Sequence, residues 1–209
     1  MTGRANAVRH LGECAEVLPG FSIAGRMEHD PNGTHQVLIT KHLKDGVSYE
    51  YREEDALRIT PQRATIRYEV HAGDVVFMSR GSRNLAWAIA RVPEPTIVPV
   101  SFYILRPGAE VDGRYLAWYL NQTPAQASID QARTGAGTPI VQRQSFERVE
   151  VVMPPLATQW TIAELAQLQA RERALRGQLG AATELLRSAT SRQIIKRLRS
   201  GNDLQGRTS

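Results

Sequence analysis

The sequence predicts an α/β (α+β) fold in which a globular domain with a curved, mostly antiparallel sheet is followed by one long C-terminal coiled-coil helix. Short runs of β-branched and aromatic residues, broken by Gly, Pro and Asn or Asp, fill residues 37–153 and are typical of strands. Pro154 and Pro155 end that pattern, because proline cannot continue a strand ladder. Residues 158–198 then contain no proline and only two glycines, which favours a single helix. We therefore expect a domain over 1–155, a helix over 156–199 and a tail over 200–209.

The predicted domain contains helices as well as strands. Asp112 can cap a helix over residues 112–122, in which Tyr115, Trp118 and Tyr119 share one face. A second, short helix is expected over residues 126–132 and ends at a following glycine. The segments with strand-like composition are Val37–Thr40, Val75–Met78, Thr96–Leu105 and Val149–Met153.

The C-terminal helix has a heptad pattern. Its apolar residues recur at alternating spacings of three and four, interrupted by Glu172, and a helix of about 40 residues is about 60 Å long. A helix of this length cannot pack entirely on the preceding domain, so we expect its distal half to pair with another helix, in a second copy or in a partner subunit. The alternative is a helix folded back along its own domain. Gly177 and Gly180 either permit a close helix–helix approach or mark a bend. The expected interface residues are Leu165, Leu168, Leu175, Leu179 and Leu186.

Positive charge is concentrated on this helix. The net charge is +5, yet residues 1–155 carry 17 basic and 17 acidic side chains. Residues 156–199 carry 8 basic and 3 acidic side chains. A nucleic-acid-binding domain without net charge has to gather its cations on one face. Nonspecific DNA binding by the end of the helix is therefore one hypothesis, resting on Arg192, Lys196, Arg197 and Arg199.

The sequence contains no pattern that predicts catalysis, so we expect a non-enzymatic chain without a metal site. Gly135-Ala136-Gly137 lacks the third glycine of a dinucleotide-binding loop and the lysine of a phosphate-binding one. The sequence also lacks the Asn-Pro-Pro-aromatic motif with which amino-methyltransferases hold a target base. The single cysteine, Cys14, excludes an internal disulfide and indicates a reducing, cytoplasmic setting, and no apolar run reaches the ~20 residues that span a bilayer. The spacings HxxxH and HExxH are absent from the five histidines, which are His10, His29, His35, His42 and His71.

The strongest candidates for binding lie in three polar loops. Residues 73–78 form a turn and an apolar strand, and the loop that follows contains two arginines, a serine and an asparagine. Arginine can bind guanine or phosphate through two hydrogen bonds, and asparagine can pair with the edge of adenine. A second basic loop follows residue 40, and a third surrounds residues 135–139, whose backbone amides can hold a phosphate. Ordinary solvated loops are the alternative for all three. The expected DNA contacts are Lys41, Lys44, Arg80, Ser82, Arg83, Asn84, Arg133, Thr138 and Arg143.

The order of these motifs resembles that of target recognition domains in the specificity subunits of type I restriction–modification methyltransferases. The resemblance rests on GDVVFMSRGSRNLAWAI, on LRPGAEVDGRYLAWYLNQ and on TGAGTPIVQRQSFERVEVVMPPLATQWTIAEL, and it extends roughly over residues 18–195. In that family, a Gly-Ser/Thr-rich loop precedes a strand that ends in Val/Ile-Pro-Pro-Leu, and a Glu-Gln pair then opens a long helix. Gln159 keeps the glutamine, whereas Thr158 replaces the glutamate and can still cap a helix.

The resemblance implies a half-length subunit, because full-length members carry two recognition domains and two such helices. It implies sequence-specific binding of double-stranded DNA at a bipartite inverted-repeat site, by a homodimer joined through antiparallel helices. The expected partners are modification subunits, which supply S-adenosylmethionine and the methylation chemistry, and a restriction nuclease subunit is a further partner that the resemblance allows. The chain itself needs no cofactor. The competing hypothesis is a coiled-coil protein–protein adaptor or restriction inhibitor without specific DNA binding.

Overall fold

The computed structural model describes residues 6–23, 25, 27–43, 48–135 and 137–205, with side chains described as far as Leu198. The chain divides into two compact units, residues 1–167 and residues 168–209. The described strands are β1 (Ala7–His10), β2 (Ala15–Pro19), β3 (His35–Val37), β4 (Ser48–Glu50), β5 (Arg58–Ile59), β6 (Val75–Met78), β7 (Ala86–Arg91), β8 (Thr96–Ile97), β9 (Phe102–Pro107), β10 (Arg133–Thr134), β11 (Ile140–Val141) and β12 (Glu150–Met153). The described α-helices are α1 (Leu11–Cys14), α2 (Gly113–Leu120), α3 (Thr123–Gln131), α4 (Arg143–Phe146) and α5 (Leu156–Gln205), and 3₁₀ turns lie at Thr40–His42, Glu53–Asp55 and Ile66–Tyr68.

The first unit is built on a five-stranded sheet with the order β2-β9-β6-β7-β4. All its neighbouring strands are antiparallel except β4 and β7. A three-stranded sheet has the order β5-β3-β8, in which β3 and β8 are parallel, and two antiparallel pairs join β1 to β12 and β10 to β11. This topology confirms the predicted mixed α/β fold with a mostly antiparallel sheet.

The sequence of strand β6 is continuously apolar because side chains on both of its faces are buried. Val75 and Phe77 lie in one buried cluster together with Leu116 and Leu120 of α2, whereas Val76 lies in a second cluster. Successive side chains of a strand point to opposite faces, so the sheet is covered on both sides at this strand. The Phe77 ring also stacks on the Phe146 ring at a centroid distance of 4.1 Å.

Several predicted elements have different bounds in the structure. The predicted strand Val37–Thr40 ends at Val37, and a 3₁₀ turn follows at Thr40–His42. The predicted strand Thr96–Leu105 is two strands, β8 and β9, because the chain turns between them at residues 100–101, where the amide of Phe102 donates to the carbonyl of Pro99 at 2.9 Å. Strand β6 has the predicted bounds.

Helix α2 begins where the sequence predicts. A carboxylate oxygen of Asp112 accepts hydrogen bonds from the backbone amides of Arg114 (2.8 Å) and Tyr115 (3.1 Å), which satisfies two amides of the first turn. Of the three aromatic residues expected on one face, Tyr115 is buried, and Trp118 and Tyr119 are partly buried against the same core. Helix α3 begins at Thr123, three residues earlier than expected, because Pro124 is favourable in a first turn.

Helix α5 begins at Leu156, directly after the two prolines as predicted. The compact unit nevertheless continues to Gln167, beyond the predicted boundary at Pro155. The reason is that the first turns of the helix bury Gln159, Ala163 and Ala166. The prediction placed the boundary at the end of the strand pattern, whereas the packing extends along one face of the helix.

The far end of α5 also differs from the prediction. The helix continues to Gln205 instead of ending at Arg199, because Ser200, Gly201, Asn202 and Asp203 lower helix propensity without blocking the helix as proline does. Gly177 and Gly180 lie within the continuous helix, and nothing lies within 4 Å of a Cβ built on either. Among the described residues, no helix is both long and apolar enough to cross a membrane.

Candidate nucleic-acid interface

The loop between β6 and β7 is fixed at its base. Ser79 is 1% exposed, and both its amide and its hydroxyl donate to the carbonyl oxygen of Ser101, at 2.8 and 3.0 Å. Gly81 has a φ of +99°, a conformation that glycine adopts without the steric cost borne by other residues. The strand that leads into the loop is buried, so the loop is held by the core of the first unit.

The β10–β11 hairpin lies against this loop. The amide of Gly81 donates to the carbonyl of Pro139, and the amide of Val141 donates to the carbonyl of Ser79, each at 2.9 Å. Arg80 and Ile140 are paired by an antiparallel bridge between these bonds. Two of the three loops singled out in the sequence therefore form one surface, which we call the loop–hairpin surface and define as residues 79–84 and 133–143, residue 136 excepted.

Asn84 is a buried support of this surface. Its side chain is 1% exposed; Nδ2 donates to the carbonyl of Met78 at 2.7 Å, and Oδ1 accepts from Nε of Arg133 at 2.7 Å. Its backbone carbonyl accepts from Nε2 of Gln126 at 2.9 Å. The DNA contact expected of Asn84 stays a prediction, but in this structure both ends of its amide are engaged inside the protein.

Arg133 also acts within the protein. Besides Asn84, its guanidinium donates to the carbonyl of Ser82 at 2.9 Å and forms an ion pair with Asp130 at 2.9 Å, and its side chain is 24% exposed. The DNA contact expected of Arg133 stays a prediction, although these bonds engage most of its guanidinium donors within the protein. Arg133 holds the β6–β7 loop in place.

The remaining predicted residues of the loop–hairpin surface are exposed. Nε of Arg143 pairs with Glu147 at 2.7 Å, an i,i+4 contact between two partly exposed side chains that contributes little to stability. The exposed predicted residues here are Arg80, Ser82, Arg83, Thr138 and Arg143.

The 3₁₀ turn that carries Lys41 contacts the strand that leads into the same surface. Lys41 is exposed on the 3₁₀ turn Thr40–His42, and Oγ1 of Thr40 is 3.9 Å from Sδ of Met78, the last residue of β6. The neighbouring His42 is buried, and burial lowers the pKa of its imidazole, against the smaller raising effect of Asp55. His42 is thus neutral at pH 7 and adds no charge to the surface. Lys44 lies outside the described residues.

Tyr103 supports the β10–β11 hairpin through a hydrogen bond. Its hydroxyl donates to the carbonyl of Val141 at 2.9 Å. Burial raises the pKa of this phenol, and the positive charges of Arg143 and Arg80 lower it by less. The hydroxyl therefore stays protonated and keeps donating across the physiological pH range.

Several supporting residues carry no local sequence signal. Asn121 donates to the carbonyl of Ala86 and accepts from its amide, at 2.8 and 2.9 Å, at the start of β7. Nε2 of Gln126 bonds the carbonyl of Leu120 as well as that of Asn84. Their partners lie up to 42 positions away in the chain, so only the fold reveals these roles.

The predicted helix interface is exposed in this chain. At about 100° per residue, Leu165 and Leu168 lie on the side of α5 opposite to the buried Ala163 and Ala166. Leu165, Leu168, Leu175, Leu179 and Leu186 are between 55% and 68% exposed.

The features above define a class of protein: a mixed α/β domain that presents exposed cations on loops braced by buried hydrogen bonds, with a long helix whose leucines face solvent.

No protein-family model and no curated protein matches the sequence. Solved structures do match in fold. The HsdS subunit from Thermoanaerobacter tengcongensis superposes with a TM-score of 0.57 and 15% identity, over 84% of this chain and 40% of that chain.

A second match is a chain from a structure that describes complex assembly and conformational transition of the type I R-M system. It has a TM-score of 0.57 and 21% identity, over 90% of this chain and 44% of that chain. The chain thus has the fold of type I restriction–modification HsdS specificity subunits, and it spans roughly two fifths of the length of these two structures.

Proposed function

We propose that this protein is the sequence-specific DNA-recognition subunit of a type I restriction–modification methyltransferase, in a half-length form with one recognition domain. The observation that carries the proposal is the agreement of the HsdS fold with the exposed cations of the loop–hairpin surface. Arg80, Arg83 and Arg143 project from a backbone that is held from within by Asn84 and Arg133. Preorganised cations on a rigid support can contact phosphates and base edges without ordering a loop first.

The chain supplies sequence choice and no chemistry in this proposal. Modification subunits bind S-adenosylmethionine and methylate the target base, and a restriction nuclease subunit is a further partner in the cytoplasm. Two copies of the chain pair through antiparallel α5 helices, because the exposed leucines of one helix need an apolar partner. Such a dimer has two-fold symmetry, so its two domains read the same half-site in opposite orientations.

The test is co-expression of the protein with its modification subunit, followed by long-read mapping of methylated bases. We expect methylation of an inverted repeat with unread base pairs between its halves, and only when both proteins are present. The variant Leu175→Asp/Leu179→Asp should remain folded but lose dimerisation and methylation, because charges in an apolar interface are unfavourable. Methylation that does not depend on this protein contradicts the recognition role, and an asymmetric or contiguous motif contradicts the homodimer.

A coiled-coil adaptor or restriction inhibitor is the second candidate, because an exposed leucine seam suits a protein partner equally well. The two candidates differ in whether their effect depends on the loop–hairpin surface. An adaptor keeps its effect on restriction or methylation when Arg80 and Arg83 are replaced by alanine, whereas a DNA-recognition subunit loses sequence-specific binding.

A further inference from the structure

We infer that Gln142 selects an adenine in the major groove of the DNA. It does so from one side of the loop–hairpin surface, which we call the outer face and which consists of Arg80, Thr134, Ile140 and Gln142. This inference rests on the DNA-recognition role of the proposed function and names the base that one side chain reads. Neither Gln142 nor Ile140 is among the DNA contacts expected from the sequence.

The outer face is one side of a small three-stranded arrangement. Ile140 of β11 pairs with Thr134 of β10 on one side and with Arg80 of the β6–β7 loop on the other. Directly opposed residues of antiparallel strands place their side chains on the same face. Arg80 and Thr134 are exposed and Ile140 is partly buried, so these three side chains point away from the core.

The residues next to them form the inner face, which is buried. Val141 pairs with Arg133, and the amide of Val141 donates to the carbonyl of Ser79 at 2.9 Å. Val141 and Ser79 are buried, and the guanidinium of Arg133 bonds groups within the protein. Because inward and outward side chains alternate along a strand, the buried inner face fixes the direction of the outer face.

Gln142 belongs to the outer face and is held in one position. It has an extended backbone and lies two positions after Ile140, so the two side chains point to the same side. Its amide donates to the carbonyl of Ala132 at 3.2 Å, and its carbonyl accepts from the amide of Phe146 at 2.9 Å. The side chain does not cap α4; Nε2 donates instead to Oγ1 of Thr134 at 2.8 Å. The Thr134 hydroxyl thereby orients the side-chain amide before a ligand binds.

The oriented amide of Gln142 matches the edge of adenine. With one N–H bonded to Thr134, the amide still offers a second N–H and the acceptor Oε1. In the major groove adenine presents one acceptor, N7, and one donor, the N6 amino group, whereas guanine presents two acceptors. Gln142 can therefore form two hydrogen bonds to adenine, while Oε1 would face another acceptor on guanine. The groove also admits a two-stranded ribbon, and β10–β11 is such a ribbon.

Selection of bound duplexes from a random library tests this inference, with the protein co-purified with its modification subunit. Gln142→Leu removes both hydrogen-bonding groups at similar size. We expect its preference for adenine at one position of the half-site to fall about 10-fold, while the other positions keep their preferences. Gln144→Leu is the matched control, because this second exposed glutamine lies on α4 and should change no preference.

A modified base tests the same contact from the side of the DNA. Replacing the selected adenine by 7-deazaadenine removes the N7 acceptor, so the unaltered protein should bind the duplex more weakly and Gln142→Leu should bind it as before. Thr134→Val keeps the shape of the side chain but removes the orienting hydroxyl, and we expect a smaller loss at the same position. Circular dichroism checks that both variants remain folded.

The outcomes separate this inference from the proposed function. The inference is wrong if Gln142→Leu keeps every preference, if it weakens binding to all sequences alike, or if the lost preference is for guanine or cytosine. It is also wrong if no 7-deazaadenine replacement weakens binding of the unaltered protein, a result that needs no variant. All of these outcomes leave sequence-specific recognition in place. An unaltered protein that selects no sequence contradicts the proposed function itself.

Discussion

Nε of Arg133 donates a hydrogen bond of 2.7 Å to Oδ1 of Asn84, and this bond joins strand β10 to the β6–β7 loop across 49 positions of the sequence. The same guanidinium bonds the carbonyl of Ser82 at 2.9 Å. Arginine suits this position because its donors lie in one plane and can bond several acceptors at once. The pair fixes the backbone on which Arg80, Ser82 and Arg83 are displayed.

The first prediction concerns Asn84. Replacing it by alanine leaves the carbonyl of Met78 and Nε of Arg133 without the partners they have now, so we expect the free energy of unfolding to fall by about 1–3 kcal/mol. Urea unfolding followed by circular dichroism measures this change. The conservative variant Asn84→Asp keeps the acceptor for Arg133 but loses the donor to Met78. Its free energy of unfolding should lie between those of the unaltered chain and of Asn84→Ala.

Ser82→Ala is the matched control in the same loop. The Ser82 side chain is exposed, and it is the backbone carbonyl that accepts from Arg133, so we expect a change within about 0.5 kcal/mol. Equal stabilities for the Asn84 and Ser82 variants would show that the Asn84 amide does not support the loop.

Asn84 also shows what the sequence can and cannot predict. The polar loop after β6 is visible in the sequence, because an apolar strand precedes a run of Arg, Ser and Asn. Which of these side chains turns inward depends on Arg133 and Gln126, which lie on the hairpin and on α3. No local periodicity records that pairing. By contrast, Pro154 and Pro155 predict the start of α5 to the residue, since their effect is confined to the adjoining backbone.

Strand β1 was not predicted for a related reason. It pairs with β12, with Ala7 opposite Met153, and its residues are mostly exposed, so they lack the apolar alternation of a strand in a sheet core. The heptad of α5 was predictable because its spacing is a property of neighbouring turns.

The second prediction concerns Arg80. Its side chain is exposed at the junction of the loop and the hairpin, where an arginine can form two hydrogen bonds to guanine. Under the proposed function, Arg80→Ala should weaken binding to the recognised site by about 1–3 kcal/mol and binding to random DNA by less. Fluorescence anisotropy with both duplexes, at one fixed salt concentration, measures the difference.

Lys41→Ala is the comparison for Arg80. A lysine acts as a point charge and suits a phosphate, so its loss should weaken binding to both duplexes alike and reduce the slope of log affinity against log salt by about one. If Arg80→Ala gives that same uniform pattern, Arg80 contacts phosphate and no base. Unchanged binding in both variants excludes this surface from the DNA interface.

The third prediction concerns Gln159, which joins the start of α5 to the segment before α2. It is 1% exposed; its Oε1 accepts from the amide of Asp112 at 2.9 Å, and its Nε2 donates to the carbonyls of Glu110 and Pro154 at 3.0 and 2.8 Å. Gln159→Leu leaves all three backbone groups unpaired, and we expect the free energy of unfolding to fall by about 2 kcal/mol or more. Gln169→Leu, at an exposed position of the same helix, should leave the free energy of unfolding nearly unchanged.

The last prediction concerns the spacing of the two half-sites. In the antiparallel dimer of the proposed function, full overlap of residues 168–186 of the two copies places the starts of the two α5 helices at Leu156 about 42 positions, or ~63 Å, apart. At ~3.4 Å per base pair this distance sets a ceiling near 18 base pairs. Because both domains have to face one side of the duplex, half-site centres about one turn apart, ~10 base pairs, are favoured.

Inserting seven helix-forming residues after Gln167 tests this geometry. The insertion keeps the heptad phase but moves the two helix starts apart by about 21 Å, or ~6 base pairs, so the preferred gap should lengthen or binding should be lost where the new spacing turns one half-site away. The same insertion after Leu198 lies beyond the leucine seam and should leave the gap unchanged. Selection of bound duplexes from a library with variable gaps measures the preference. An unchanged gap after the first insertion means that α5 does not set the distance between the half-sites. Equal effects of the two insertions mean that the seam at Leu168–Leu186 is not the interface.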